Sequence, residues 1–194
     1  FYTASIPGSD GTIVSGFGIN INWDTRNSSF FPTKGFNIDI KAYINRKELG
    51  NEYNFSNVKS DSRFFFQLHE EHVLAFQFIF DGAHGTVPYQ SMTKLGGDAM
   101  LRGYYDGRYR DKNFGALQLE YRFPVVWRFA AAVFSGIGQV APNMKELFQN
   151  ELKVAWGLGL RIIADKAEHV PFRLDVGFDR EMNANVYFII KEAF

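Results

Sequence analysis

Apolar and polar side chains alternate with a period of two along most of this chain, as a strand with one dry and one wet face requires. Between Thr12 and Asp24, Ile13, Phe17, Ile19, Ile21 and Trp23 share one parity, and Gly16, Gly18, Asn20, Asn22 and Asp24 share the other. A turn over 25–34, punctuated by Pro32 and Gly35, separates this stretch from Phe36, Ile38, Ile40, Ala42 and Ile44, which oppose Asn37, Asp39, Lys41, Tyr43 and Asn45. Beyond a loop at 47–52, Val58, Phe64, Phe66 and Leu68 oppose Lys59, Asp61, Arg63 and Gln67. Tyr53 and Phe55 fall on the other parity, which predicts a bulge or an extended loop end there. A tight turn from His69 to His72 leads into Leu74, Phe76, Phe78 and Phe80, opposed by Ala75, Gln77 and Asp81.

A connection from Gly82 to Asn113, essentially 83–112, then interrupts the pattern, and it is far longer than a hairpin needs. Five more alternating strands follow. Leu117, Leu119, Tyr121 and Phe123 oppose Gln118, Glu120 and Arg122, and Trp127, Phe129, Ala131, Val133 and Ile137 oppose Arg128, Ala130, Ala132, Gly136 and Gly138. Leu152 to Ile162 alternates with Gly157, Gly159 and Arg161 inward, and Phe172 to Phe178 with Arg173, Asp175, Gly177 and Asp179 inward. A final strand is expected from Asn185 to Phe194. The count is about nine strands, or ten if Phe1 to Ile6 adds one, in a single all-β antiparallel unit over 1–194.

A soluble β-sandwich shows the same alternation. Three features favour a membrane barrel: strands near the length of a tilted span, bulky apolar residues in nearly every outer slot, and short turns alternating with longer loops. Aromatic residues make up 17% of the chain while mean hydropathy is only −0.19, the combination that lipid-facing aromatics and a polar interior produce. No run of about 18 apolar residues exists for a membrane helix. Lys+Arg and Asp+Glu both number 21, so no basic field points to nucleic acid. Cysteine is absent, which removes disulfides, thiol nucleophiles and Cys-ligated metals. The chain opens on Phe1 rather than Met, which reads as a processed or truncated product. With a periplasmic carboxy terminus, the loops 47–52, 83–112, 141–150 and 180–184 face outward from the cell, and the turns 25–34, 69–71, 124–125 and 164–170 face the periplasm.

Few residues carry chemistry. His69-Glu70-Glu71-His72 lacks the helical i, i+4 spacing of a zinc HExxH site and lies in a turn, and His84 and His169 have no neighbouring ligands. No nucleophile elbow, phosphate loop or dinucleotide fingerprint is present, so neither an enzyme nor a cofactor is indicated. Arg102 is the exception. Flanked by Gly97 and Gly103, it sits in a loop long enough to reach inward-facing Glu120, Arg122, Arg128, Arg161, Asp175 and Asp179, whose carboxylates its planar fork can hold. The alternative is that Arg102 decorates a flexible surface loop.

Gly96-Gly97 through Leu101-Arg102-Gly103-Tyr104, the strand end Glu120-Tyr121-Arg122-Phe123-Pro124 and the terminal Phe194 together resemble the BamA/TamA outer-membrane insertase superfamily. The hairpin Trp23-Asp24-Thr25-Arg26 through Phe31-Pro32-Thr33-Lys34-Gly35 is similar to another segment of that family. The resemblance implies a sixteen-stranded barrel of which this chain matches the last nine strands, as in members without POTRA domains. It implies a lumen-inserted loop anchored by Arg102, Gly103, Tyr104 and Gly97, with Glu120 as the strand partner of Arg102. A second acid is expected in a Phe-x-Asp-x-Gly pattern, where Phe134-Ser135-Gly136-Ile137-Gly138 has glycine instead; Asp175 or Asp179 is the substitute. Phe188, Ile190 and Phe194 resemble the family's carboxy-terminal signal.

The implied function is insertion or export of proteins at the outer membrane of a Gram-negative bacterium. The partners are then the lipid bilayer, client outer-membrane proteins or accessory proteins, and a second chain or a missing amino-terminal half that completes the barrel. The rivals are a passive pore plugged by the loop and a soluble β domain binding an apolar ligand.

Overall fold

The computed structural model describes residues 6–149, 151–165 and 170–194. Eleven strands are β1 (Gly16–Asp24), β2 (Gly35–Asn45), β3 (Phe55–His69), β4 (His72–Gly85), β5 (Thr93–Leu95), β6 (Tyr109–Asp111), β7 (Asn113–Val126), β8 (Phe129–Ala141), β9 (Lys153–Asp165), β10 (Val170–Asp179) and β11 (Ala184–Ile190). Nine form one antiparallel sheet in the order β1-β2-β3-β4-β7-β8-β9-β10-β11, and β5 and β6 form a separate two-stranded ribbon. The large sheet is an uninterrupted meander, part of a barrel wall that does not close on itself among the described residues.

Strand parity sorts the two faces. Phe17, Ile21, Val58, Phe66, Leu119, Val133, Leu158, Leu174, Val186 and Phe188 are exposed on the outer face. Gln77, Gln118, Glu120, Arg122, Arg161, Arg173 and Asp175 are buried on the inner face. At the turn end the outer face carries a row of rings, with Trp23–Phe36 centroids at 5.0 Å, Phe36–Phe64 at 6.3 Å and Phe64–Phe76 at 6.4 Å. At the loop end Trp156 stacks on Phe178 at 4.8 Å. Aromatic rings at both ends of an apolar band suit the two interfaces of a bilayer. The strands of the wall's centre run to 14 and 15 residues, longer than a tilted span needs.

Three sequence expectations need correction. The register of β3 is continuous from Phe55 to Gln67, so the parity change at Phe55 is no bulge. Phe55 points inward because the inner face is apolar there, packed with Ala83, Val87 and Tyr53 beneath the long connection. That connection is shorter than 83–112: β4 continues to Gly85, and Ala83 N–H donates to Lys112 O at 2.9 Å, so the excursion proper is 86–112. The last strand ends at Ile190 instead of Phe194. Lys191 adopts φ +153° and turns the chain inward, and Glu192, Ala193 and Phe194 are buried on the inner face. Of the extra strand considered for Phe1 to Ile6, Ile6 is not in a strand and residues 1–5 lie outside the described residues, as do His169 and most of the turn 164–170.

Placing a charge on the outer face should block insertion. Leu119→Arg, at the middle of β7, is expected to destabilise the protein by about 2–4 kcal/mol in urea titrations of folding into phospholipid bilayers. Met144→Arg, in the loop after β8, should leave the titration unchanged.

Candidate functional site: a loop locked by buried arginines

Arg102 and Gly103 lie along one register row of the inner face. That row runs Glu120 (β7), Phe134 (β8), Gly157 (β9), Gly177 (β10) and Asn185 (β11). Glycine at its centre leaves a trough. A Cβ on Gly177 would collide with the Arg102 carbonyl, and one on Gly103, which has φ +152°, would sit 2.5 Å from Phe178 O. At the row's end, Asn185 Nδ2 donates to Gly103 O at 2.6 Å.

The loop tip is folded on itself before it docks. Gly97 N–H donates to Tyr104 O at 2.9 Å and Tyr104 N–H to Leu101 O at 3.1 Å. Gly96 and Gly97 have φ +104° and +120°, conformations in which a side chain is strained. Leu101 N–H donates to Gln118 Oε1 at 2.8 Å, and the Leu101 side chain caps Gly138, whose Cβ would lie 2.6 Å from it. Tyr104 is buried, donates its hydroxyl to Val154 O at 3.1 Å and accepts from Tyr187 at its backbone oxygen at 3.0 Å. Burial pushes the Tyr104 phenol above its ordinary pKa.

Arg102 is fully buried, with 0% exposure. Its Nη2 lies 2.5 Å from Glu120 Oε2 and its Nη1 2.6 Å from Asp175 Oδ2, while its guanidinium stacks 3.6 Å from the centroid of Phe134. The wall answers with three more buried arginines. Arg122 Nε donates to Glu120 Oε1 at 2.7 Å, and Arg161 contacts Asp175 at 2.5 Å and Glu120 at 3.3 Å. Arg173 lies 3.5 Å from Asp175 and reaches back to the loop, donating to Asp98 O at 2.8 Å with the Asp98 carboxylate at 3.9 Å. The acid missing at Gly136 is therefore supplied by Asp175, three strands from Glu120 in the sheet. A side chain at Gly136 would crowd Gln118 and Leu101 at 3.0 and 3.1 Å, so the loop occupies the space an aspartate there would need.

Asp179 does not join this cluster. It accepts from Arg108 at 3.1 Å, from Asn183, and from the backbone N–H groups of Glu181 and Asn183, so it organises the β10–β11 loop. Of the carboxy-terminal residues, Phe188 and Ile190 face outward, whereas Phe194 is buried with Phe65, Ala75 and Ala193. Its backbone oxygen accepts from Arg122 at 3.1 Å. Asp98, Phe134, Asn185, Tyr187 and Glu192 were not legible as site residues. Phe134, Asn185 and Tyr187 have inward parity and Asp98 lies near Arg102 in sequence, signals that many residues share, whereas Glu192 falls on the outward parity of β11 and reaches the inner face only through the turn at Lys191.

An antiparallel wall with a lipid-type outer face and a charged inner face defines a transmembrane β-barrel segment. The chain belongs to the Omp85 superfamily, whose domain model matches residues 8–194, and it is an outer-membrane β-barrel protein of that type. Among solved structures it is similar to BamA from Haemophilus ducreyi lacking POTRA domains 1–3, with a TM-score of 0.71 at 14% identity. The match covers 89% of this chain and 40% of the BamA chain, so this chain spans well under half of that relative. A search of curated protein sequences finds no match.

Removing one partner of a buried ion pair leaves an uncompensated charge, at a cost of about 3–5 kcal/mol. Arg102→Ala should therefore free the loop from the wall, seen as rapid proteolysis within 86–112. Arg102→Lys should fall between the two, because one ammonium cannot span both carboxylates in plane.

Proposed function

We propose that this protein is a non-enzymatic insertase or translocator that helps client proteins enter or cross the outer membrane of a Gram-negative bacterium. The observation that carries this reading is the pairing of a short, open-edged terminal strand with a loop fixed to the wall beside it. β11 has seven residues and, among the described residues, pairs on one side alone, with β10. An unpaired edge offers a row of N–H and C=O groups that templates an incoming strand. The docked loop reaches that edge strand, since Asn185 and Tyr187 of β11 both donate to it. The likeness in fold to BamA supports the same reading.

Client outer-membrane proteins and accessory proteins are the partners this reading assigns. Strands from the same polypeptide or from a second chain would complete the barrel, because among the described residues the edges of β1 and β11 are open. A passive pore is the second reading, with inner arginines setting ion selectivity. Arg122, Arg161 and Arg173 are instead tied to Glu120, Glu192, Asp175 and Asp98, which supports the insertase reading over the pore.

Reconstitution separates them. In liposomes, the protein is expected to accelerate folding of a urea-denatured outer-membrane client into its protease-resistant form, without a steady ion conductance. Conductance with no acceleration of the client would establish the pore instead.

A further inference from the structure

The chain's last residues do something the strand pattern does not foretell: they cross the inner face from β11 to β3. Phe194 packs on Phe65 of β3 and Ala75 of β4. Glu192 N–H donates to Phe30 O at 3.4 Å, and Arg122 binds the tail and the β1–β2 turn together through Phe194 O and Pro32 O, each at 3.1 Å. The tail is thus fastened at both ends, by charge at Glu192 and by apolar contact at Phe194.

Glu192 is buried and lies 3.1 Å from Arg161 Nη2 and 3.7 Å from Arg122 Nε. Both arginines also hold Glu120, and Arg161 holds Asp175 as well. Glu120 and Asp175 are the two acids that receive Arg102. The tail and the loop therefore draw on one set of buried charges in addition to the contacts each makes alone.

We infer that Glu192 is a positioning residue that couples the carboxy-terminal tail to the loop, so that each is held more tightly when the other is in place. With Glu192 withdrawn, Arg161 and Arg122 lose a counter-charge and compete with Arg102 for Glu120 and Asp175, which weakens the loop's hold. With Arg102 withdrawn, Glu120 and Asp175 each lose one cation and draw Arg161 and Arg122 away from Glu192, so the tail loosens. Lys191 supplies a spring for release, because its φ of +153° is sparsely populated for a side-chain-bearing residue and persists while the tail is held. A released tail would be free to continue β11 outward. The inference rests on Arg102 as the loop's anchor and adds a control by the terminal strand.

Two readouts test it on the membrane-reconstituted protein. Loop release is followed by trypsin cleavage at Lys94, Arg108, Arg110 and Lys112, and tail release by maleimide labelling of Ala193→Cys, a unique thiol because the chain has no cysteine. Coupling between sites is reciprocal. Glu192→Gln should speed loop cleavage about ten-fold, and Arg102→Ala should speed labelling of the tail thiol by a similar factor. Glu192→Asp, which keeps the charge, should restore part of the loop's protection. Phe194→Ala loosens the tail without altering any charge and should also speed loop cleavage, which gives a second test if Glu192→Gln fails to reach the heat-modifiable barrel. Wild-type loop cleavage in a variant whose tail thiol reacts fast would overturn the coupling. Wild-type loop cleavage in Arg102→Ala would overturn the anchor itself, a separate result.

Discussion

A guanidinium with no exposure to water has to be paid for in carboxylates, and much of the inner face follows from that requirement at Arg102. Glu120 and Asp175 stand on strands β7 and β10, so no single hairpin can supply both. The wall has to curve across four strands before the site exists. Phe134 fills the floor beneath the cation, and the glycines at 157 and 177 lower the strands between the acids so that loop backbone can lie on them. Those acids attract further arginines, and the result is a network in which each carboxylate serves at least two cations.

The period of two made the wall legible: nine sheet strands and their inward faces follow from parity alone, including Glu120, Arg122, Arg161 and Asp175. Parity does not say which inward acid a loop residue meets. Asp175 and Asp179 share a face and differ by four residues, yet one receives Arg102 and the other caps a turn, because the loop's depth is set by where glycines leave room. Phe55 misled for a related reason. An inward aromatic reads as a register shift only if the interior is assumed wet, and here a docked segment makes part of it dry. The inward turn at Lys191 left one sign in the sequence: Glu192 puts a charge at the parity that Val186, Phe188 and Ile190 give to the outer face, where a continuing strand would carry an apolar side chain.

The two faces of β11 illustrate how one strand serves opposed demands. Val186, Phe188 and Ile190 present apolar surface outward, while Asn185 and Tyr187 hold the loop from within. Seven residues of pairing with β10 are a modest hold for a terminal strand, and contacts made by loop and tail on the inner side reinforce it.

The direct pairing of β4 with β7 bears on the order of assembly. The chain leaves the wall at Gly85 and re-enters it at Asn113, and the strands on either side are hydrogen-bonded from Val73↔Arg122 to Gly82↔Asn113 as though nothing intervened. Their hairpin can zip from its wall contacts alone, at the cost of closing a long flexible segment, which grows only logarithmically with length. Docking of that segment needs Asp175, which arrives three strands later in the chain order of the sheet. The loop's anchorage is therefore complete only in a wall that already includes the final hairpin, since Asp175 stands on β10 and Asn185 and Tyr187 on β11.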